Sequence, residues 1–347
     1  MNSFIALLLL QDGLTSGAIY ALLALVLVMV FSVTRVVLIP QGEIVSYAAL
    51  TLAALQSRHV PGTILLLGAG GLVAAAMQVA QWLREERRPG LLVAAALYAV
   101  VPLAVALAAW KLAPRELPLG VQLLLTVLIV APLGPLMYRI VFAPIASASV
   151  LVLLIVAVAV HFVMSGLGLL FFGPEGVRTP PLVTARFSVS GILVSGQALA
   201  VVGIAVLLIV ALVAFFGLTL QGKALRATTF NRIGARLVGI DTVQAGLLAF
   251  LLAALIGVVS GILVSSITTI YYDTGFLIGL KGFVAAIVGG LVSYPIAALG
   301  ALALGMLETF SSFWASAFKE VIVFALIIPI LLWRSLTQPH LEEEEEE

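Results

Sequence analysis

The chain has 347 residues, of which 63% are hydrophobic and only 10% charged, with a formal net charge of +1 and no cysteine. Soluble domains carry about 25% charged residues, so this composition excludes an ordinary water-soluble fold, and a mean hydropathy of +1.26 makes the bilayer the solvent for most side chains. The near-neutral balance excludes a nucleic-acid partner, which demands a basic face, and the lack of cysteine excludes disulfides, thiolate nucleophiles and Cys-ligated metals.

A span needs about 20 mostly apolar residues. In chain order the apolar runs predict segments near 6–33, 40–57, 62–83, 90–110, 119–141, 149–172, 192–219, 244–266, 276–292, 293–312 and 319–335. Met1 to Gln11 lacks a basic start and a small-residue cleavage pattern, so it reads as the lead into the first span rather than as a signal peptide. The 40–57 and 276–292 pieces are short and interrupted by glycine, the pattern of re-entrant or broken helices. The expected fold class is all-α, a polytopic transmembrane bundle of about 9–11 spans forming one domain over 1–340. The acidic run at 341–347 reads as a solvated tail or an appended sequence and is left out of fold reasoning.

Orientation follows Lys and Arg in the loops. Arg84-Glu85-Glu86-Arg87-Arg88, the segment with Lys223, Arg226, Arg232 and Arg236, and the span ends at Arg35, Arg139 and Arg334 all fall on one side when spans alternate. That side is expected to be cytoplasmic, with the N-terminus outside and the C-terminus inside. Lys111, Arg115, Arg178 and Arg186 are exceptions. The longest outer loop, 173–191, opens with the turn Gly173-Pro174-Glu175-Gly176 and is stiffened by Pro180-Pro181. It reads either as a connector or as a docking surface for a soluble partner.

Residues 220–243 are the only sizeable polar stretch between spans. Phe230, Ile233, Leu237 and Ile240 recur at spacings of three and four, which predicts one apolar helix face, with Arg232 and Arg236 on another. Gly239 can end that helix, and Asp241 with Gln244 resembles a capping box opening the next span. Such a helix either lies on the membrane surface or docks into a groove of a cytoplasmic partner.

An ionisable residue at a helix centre costs about 2.5–3.5 kcal/mol on insertion scales, and a Leu or Ile returns only about 0.3–0.6. The residues facing this cost are Asp12, Glu43, His161, Lys281 and Glu308. Asp12 lies near a span edge, where it can be wet. Glu43 follows Pro40-Gln41-Gly42, and a carboxylate in a first helical turn is favoured by the helix dipole. His161 is expected to be neutral and satisfied by a backbone carbonyl. Lys281 either snorkels to an interface or pairs with Glu308, the acid deepest in a span. Gly13 and Gly17, and Gly257 and Gly261, are four apart, a spacing that lets helices approach closely. No metal-ligand or phosphate-loop motif is present, and Asp273 lacks a second Asp in a matching context, which weakens an intramembrane hydrolase.

Several separated motifs resemble those of bacterial branched-chain amino-acid ABC permeases, on the H-type branch. They are Gly13-Leu14-Thr15-Ser16-Gly17-Ala18-Ile19-Tyr20, Gln41-Gly42-Glu43, Phe172-Gly173-Pro174, the run from Gly222 through Arg226, Asn231-Arg232 and Ala235-Arg236-Leu237-Val238-Gly239, Gly279-Leu280-Lys281-Gly282-Phe283 through Gly290, then Gly300, Gly305, Glu308, Phe318-Lys319-Glu320 and Arg334. The resemblance implies an importer built from two homologous permeases, two cytoplasmic ATPases and an extracytoplasmic binding protein, in the bacterial inner membrane. It also implies no covalent chemistry or cofactor on this chain. Combined with the intramembrane charges, it makes Gln41, Gly42, Glu43, Lys281, Phe283 and Glu308 the expected pathway residues. It makes Arg226, Phe230, Asn231, Arg232, Ile233, Arg236, Leu237 and Gly239 the expected ATPase-coupling residues. The chain departs from the family at Leu38-Ile39-Pro40, and apolar material over 62–118 adds two spans to the usual one. The halves are expected to be related by an inverted repeat, with the pieces starting at Gln41 and Gly279 equivalent. An ion-coupled secondary transporter using Glu43 and Glu308 is the competing reading.

Overall fold

In hydrocarbon every backbone N–H and C=O must be satisfied within the protein, which leaves helices as the means of crossing for an all-α chain. The computed structural model describes residues 3–84, 89–189 and 192–337. The charged run 85–88 and the acidic tail at 341–347 lie outside the described residues. Helix α1 is Ser3–Thr34, α2 Gln41–Gln56, α3 Thr63–Arg84 and α4 Pro89–Leu112. The next span runs as α5 (Leu119–Val130) and α6 (Leu133–Met137), then a π-helical turn Tyr138–Phe142 and a 3₁₀ turn Ala143–Ile145. Pro132 separates α5 from α6 because it offers no N–H to the helical ladder. Helix α7 is Val150–Phe172, α8 Gly196–Leu218, α9 Leu220–Phe230, α10 Arg232–Leu237, α11 Thr242–Val264, α12 Thr274–Val288, α13 Tyr294–Trp314, α14 Lys319–Ala325 and α15 Ile327–Thr337.

Among the described residues, nine stretches are long and apolar enough to cross a membrane. The two short pieces of the sequence are α2, with 16 residues, and α12, with 15. Large apolar side chains such as Leu97, Phe162, Leu207 and Val213 point outward. A surface so apolar would aggregate in water and is natural against lipid. Two local features depart from the sequence expectation. The loop between α7 and α8 contains an antiparallel hairpin, β1 (Arg186–Val189) with β2 (Ile192–Ser195), and the last span breaks at Leu326 between α14 and α15.

The centre of the bundle is built from α1, α2, α11 and α12. Helix α1 ends when the Thr34 hydroxyl donates back to Val30 O and Arg35 turns left-handed at φ 59°. The chain then runs non-helical through the buried residues Val36, Val37 and Leu38 before Pro40 opens α2. Helix α11 is followed in the same way by residues 265–273, which lead into α12. The loop between α7 and α8 ties this second segment down: Val177 and Ile270 form a bridge, Thr179 N donates to Ser265 O, and Arg178 donates from Nε and Nη2 to Ser266 O. Free carbonyls at the end of α11 thereby find partners.

Helices α2 and α12 meet through their first turns. A Cβ at Gly42 would overlap the carbonyl of Gly275, one at Gly275 would overlap the carbonyl of Gly42 and the hydroxyl of Ser46, and one at Gly279 would touch Gly42 Cα. Contacts of 42 with 279 and of 46 with 275 make the two helices antiparallel. The glycine pairs lie at matching seams: Gly13 and Gly17 of α1 face Met306 and Leu302 of α13, and Gly257 and Gly261 of α11 face Ile44 and Ala48 of α2. Thus α11 runs parallel to α2. Helix α1 opposes α13, which in turn opposes α12, so α1 runs parallel to α12. Helix α6 packs on α11 and the much longer α13 on α1, while α7 touches α2 and α15 touches α12. Exchanging α1–α2 with α11–α12 preserves these contacts, as an inverted repeat requires. Helix α12 begins at Thr274, five residues before Gly279.

Gly275→Val is expected to destabilise the protein by at least about 1–3 kcal/mol, because backbone rather than a flexible side chain must yield. Gly203→Val, where an added Cβ meets nothing within 4 Å, should stay within about 0.5 kcal/mol. Thermal unfolding of both variants in detergent checks the contrast.

Candidate translocation and coupling sites

Gln41, Gly42 and Glu43 form the first turn of α2, at the crossing with α12. Glu43 is 1% exposed. Its Oε1 accepts a hydrogen bond from His161 Nδ1 on α7, and the His161 ring stacks on Phe276 of α12 at 4.1 Å and 22°. His161 therefore binds a carboxylate rather than the backbone carbonyl expected from sequence, because the short α2 brings the Glu43 side chain against α7. Gln41 Nε2 donates to Ala253 O of α11 at 2.9 Å. Gln41 Oε1 and Glu43 Oε2 are buried without a hydrogen-bond partner. Two acceptors thus remain unspent beside the N-terminal end of α2, where backbone N–H groups and the dipole favour negative charge.

The second polar cluster joins α1, α12, α13 and α14. Lys281 Nζ donates to Glu308 Oε1 at 2.6 Å and to Glu320 Oε1 at 3.2 Å, and Tyr20 Oη donates to Glu308 Oε2 at 2.6 Å. Lys281 is 5% exposed and does not snorkel: a carboxylate within reach inside the bundle outweighs a journey to the interface. Of this cluster the sequence named Lys281 and Glu308. Tyr20 and Glu320 were missed as members, although Glu320 is a charge in the first turn of the last apolar run. Phe283, one turn beyond Gly279, lines a cavity of about 10 Å³ with Leu27, Leu38 and Ile39, room for about one water. No amino-acid-sized solute fits there in this conformation. Helix α12 thereby touches both polar clusters and this cavity.

At the other end, α9 and α10 form two short helices rather than one. Asn231 interrupts them, and its side chain caps α10 by accepting from Gly234 N at 2.8 Å. Gly239, at φ 87°, follows the end of α10, and Asp241 Oδ1 accepts from Val243 N and Gln244 N to open α11. Phe230, Ile233 and Leu237 are 85%, 75% and 83% exposed. Arg232 Nη1 donates to Ala146 O and Arg236 Nε to Thr242 Oγ1. The arginines fasten the loop to its own chain, while the apolar side chains and Arg226 stay outside.

Among the described residues no group of three or more His, Asp or Glu could hold a metal ion. Asp241 stands at the start of α11 and Asp273 at the start of α12.

Residues 9–331 match the family model described as branched-chain amino acid transport system / permease component. The chain belongs to this family. Among relatives of the permease, the high-affinity branched-chain amino acid transport system permease protein LivH of Salmonella typhimurium is 30% identical over 214 residues, 59% of this chain and 69% of the relative. LivH of Escherichia coli K12 is 31% identical over 202 residues, 56% of this chain and 65% of the relative. The high-affinity branched-chain amino acid transport system permease protein BraD of Pseudomonas aeruginosa is 27% identical over 228 residues, 63% of this chain and 74% of the relative. No solved structure matches the permease. Family and apolar helices together make it a multi-pass membrane protein and a transport component.

Removing Lys281 leaves the largely buried Glu308 without its cation, whereas removing Glu308 leaves Lys281 with Glu320. Lys281→Met is expected to cost about 3–5 kcal/mol, Glu308→Met less because Glu320 remains, and the double variant to recover part of the Lys281→Met loss. A double-mutant cycle read by thermal unfolding checks it; purely additive losses would show that the pair is not coupled.

Proposed function

We propose that this permease is the membrane-spanning subunit of an ATP-driven importer of branched-chain or related small amino acids. It works with a second homologous permease, two cytoplasmic ATPase subunits and an extracytoplasmic solute-binding protein. The α9–α10 end faces the cytoplasm, with the N-terminus outside and the C-terminus inside, since Lys223, Arg226, Arg232 and Arg236 gather there. The pathway runs beside Gln41–Glu43 and the Lys281–Glu308 cluster, with Phe283 just beyond Lys281 on α12.

One observation carries this reading: Phe230, Ile233 and Leu237 stand exposed on a two-helix loop that is itself anchored by Arg232 and Arg236. An apolar cluster on a fastened, polar loop suits a groove in a soluble partner. Two carboxylates that an ion-coupled transporter would use, Glu43 and Glu308, are already engaged with His161 and Lys281. The sequence contains no phosphate-binding loop of its own, so ATP must be bound elsewhere. Force would pass from α9–α10 into α11, which Asp241 caps directly after the loop.

The test is reconstitution in liposomes with the ATPase and binding-protein partners from the native host. Phe230→Ser and Leu237→Ser should each lower ATPase association about tenfold or more and abolish cargo-stimulated ATP turnover, with membrane insertion unchanged. Undiminished turnover, or uptake by this chain alone under an ion gradient, contradicts the proposal.

A further inference from the structure

The hairpin α3–α4 has no part in the reading above. Its helices pack closely on each other, with Gly71 against Tyr98 and Pro102, and it leans on α5, α6 and the π-helical turn. One of its contacts is polar. Arg139, in the π-helical turn, donates from Nη2 to Gln78 Oε1 and, at 2.9 Å, to Gln81 Oε1. Gln78 and Gln81 lie three apart on α3 and so share a helix face. Both are neutral amides. They orient the guanidinium without cancelling its charge.

Arg139 Nε is buried and has no hydrogen-bond partner. Among the described residues neither Arg139 nor Arg84 takes part in an ion pair. Both line one cavity of about 540 Å³, together with Gln81, Met77, Pro144 and Val243. It lies where α3 ends and α11 begins, at the α10 end of the bundle. Among the described residues no carboxylate compensates these two guanidinium groups, which calls for an anion with several acceptor oxygens, and the planar fork of arginine suits phosphate. The walls at Met77, Pro144 and Val243 are apolar, which a freely soluble anion has no use for. A phosphodiester carrying acyl chains satisfies both.

We propose that this cavity binds the phosphate of an anionic phospholipid, held by Arg84 and Arg139. Basic cavities between transmembrane helices at the membrane surface take such headgroups. The lipid sits in the joint between α3 and the π-helical turn and fixes the hairpin to the bundle. This holds whatever solute the permease carries.

The experiment uses the full chain, stripped of lipid in a neutral detergent, with melting temperature as readout. Mixed micelles with phosphatidylglycerol should raise it, while phosphatidylcholine or inorganic phosphate alone should not. Arg84→Gln and Arg139→Gln should each weaken the phosphatidylglycerol response about fivefold. Arg226→Gln, exposed on α9 and outside the cavity, should leave it unchanged. If Arg139→Gln fails to fold, because Arg139 holds Gln78 and Gln81, the exposed Arg84 decides alone. An equal response to phosphatidylcholine, a full response to inorganic phosphate, or equal losses in Arg84→Gln and Arg226→Gln each overturn the proposal.

Discussion

Contact between Gly42 and Gly275 fixes the centre of this protein. Two short helices meet there by their first turns, with backbone against backbone and no room for a side chain on either. Neither helix has the length to cross a bilayer alone, since 15 or 16 residues span about 23 Å. Each therefore needs a non-helical lead-in, and such backbone is tolerated at membrane depth only when buried in protein. The first lead-in is buried at Val36, Val37, Leu38 and Pro40; the second is buried at Ser265, Ser266 and Ile270 and exposed at Thr268, Thr269, Tyr271 and Asp273.

Charge follows from the same arrangement. A lone charge costs about 2.5–3.5 kcal/mol on insertion, more than several leucines return. The protein avoids that cost by pairing across helices: Glu43 with His161, and Lys281 with Glu308 and Glu320. Helix α12 is common to both groups, through Phe276 on the His161 ring and through Lys281. A shift of α12 therefore perturbs both polar clusters together. Anything that moves α11, which packs on α2 and carries α9–α10 at its start, acts on the crossing directly.

Much of the fold was legible in the sequence because it is local. Apolar run length gave the spans, and the short, glycine-interrupted runs gave α2 and α12. The glycine spacings at 13 and 17 and at 257 and 261 mark true helix seams, and the Asp241 cap follows from three adjacent residues. Pairings across distant stretches were harder. His161 and Glu43 are 118 residues apart, and Tyr20 and Glu308 are 288 apart, so no periodicity connects them. The hairpin at Arg186–Ser195 escaped notice because the apolar Ile192-Leu193-Val194 looks like the start of the following span. Likewise the spacing of Phe230, Ile233 and Leu237 suggested one helix, whereas the Asn231 side chain competes for backbone N–H groups and starts a second.

The most direct test is an experimental map of the protein in a lipid nanodisc at a resolution that places backbone atoms. The central claim predicts Gly42 and Gly275 in van der Waals contact, with α2 and α12 antiparallel. Axes separated by an ordinary side-chain layer of about 8–10 Å, or lipid between the two helices, would contradict it.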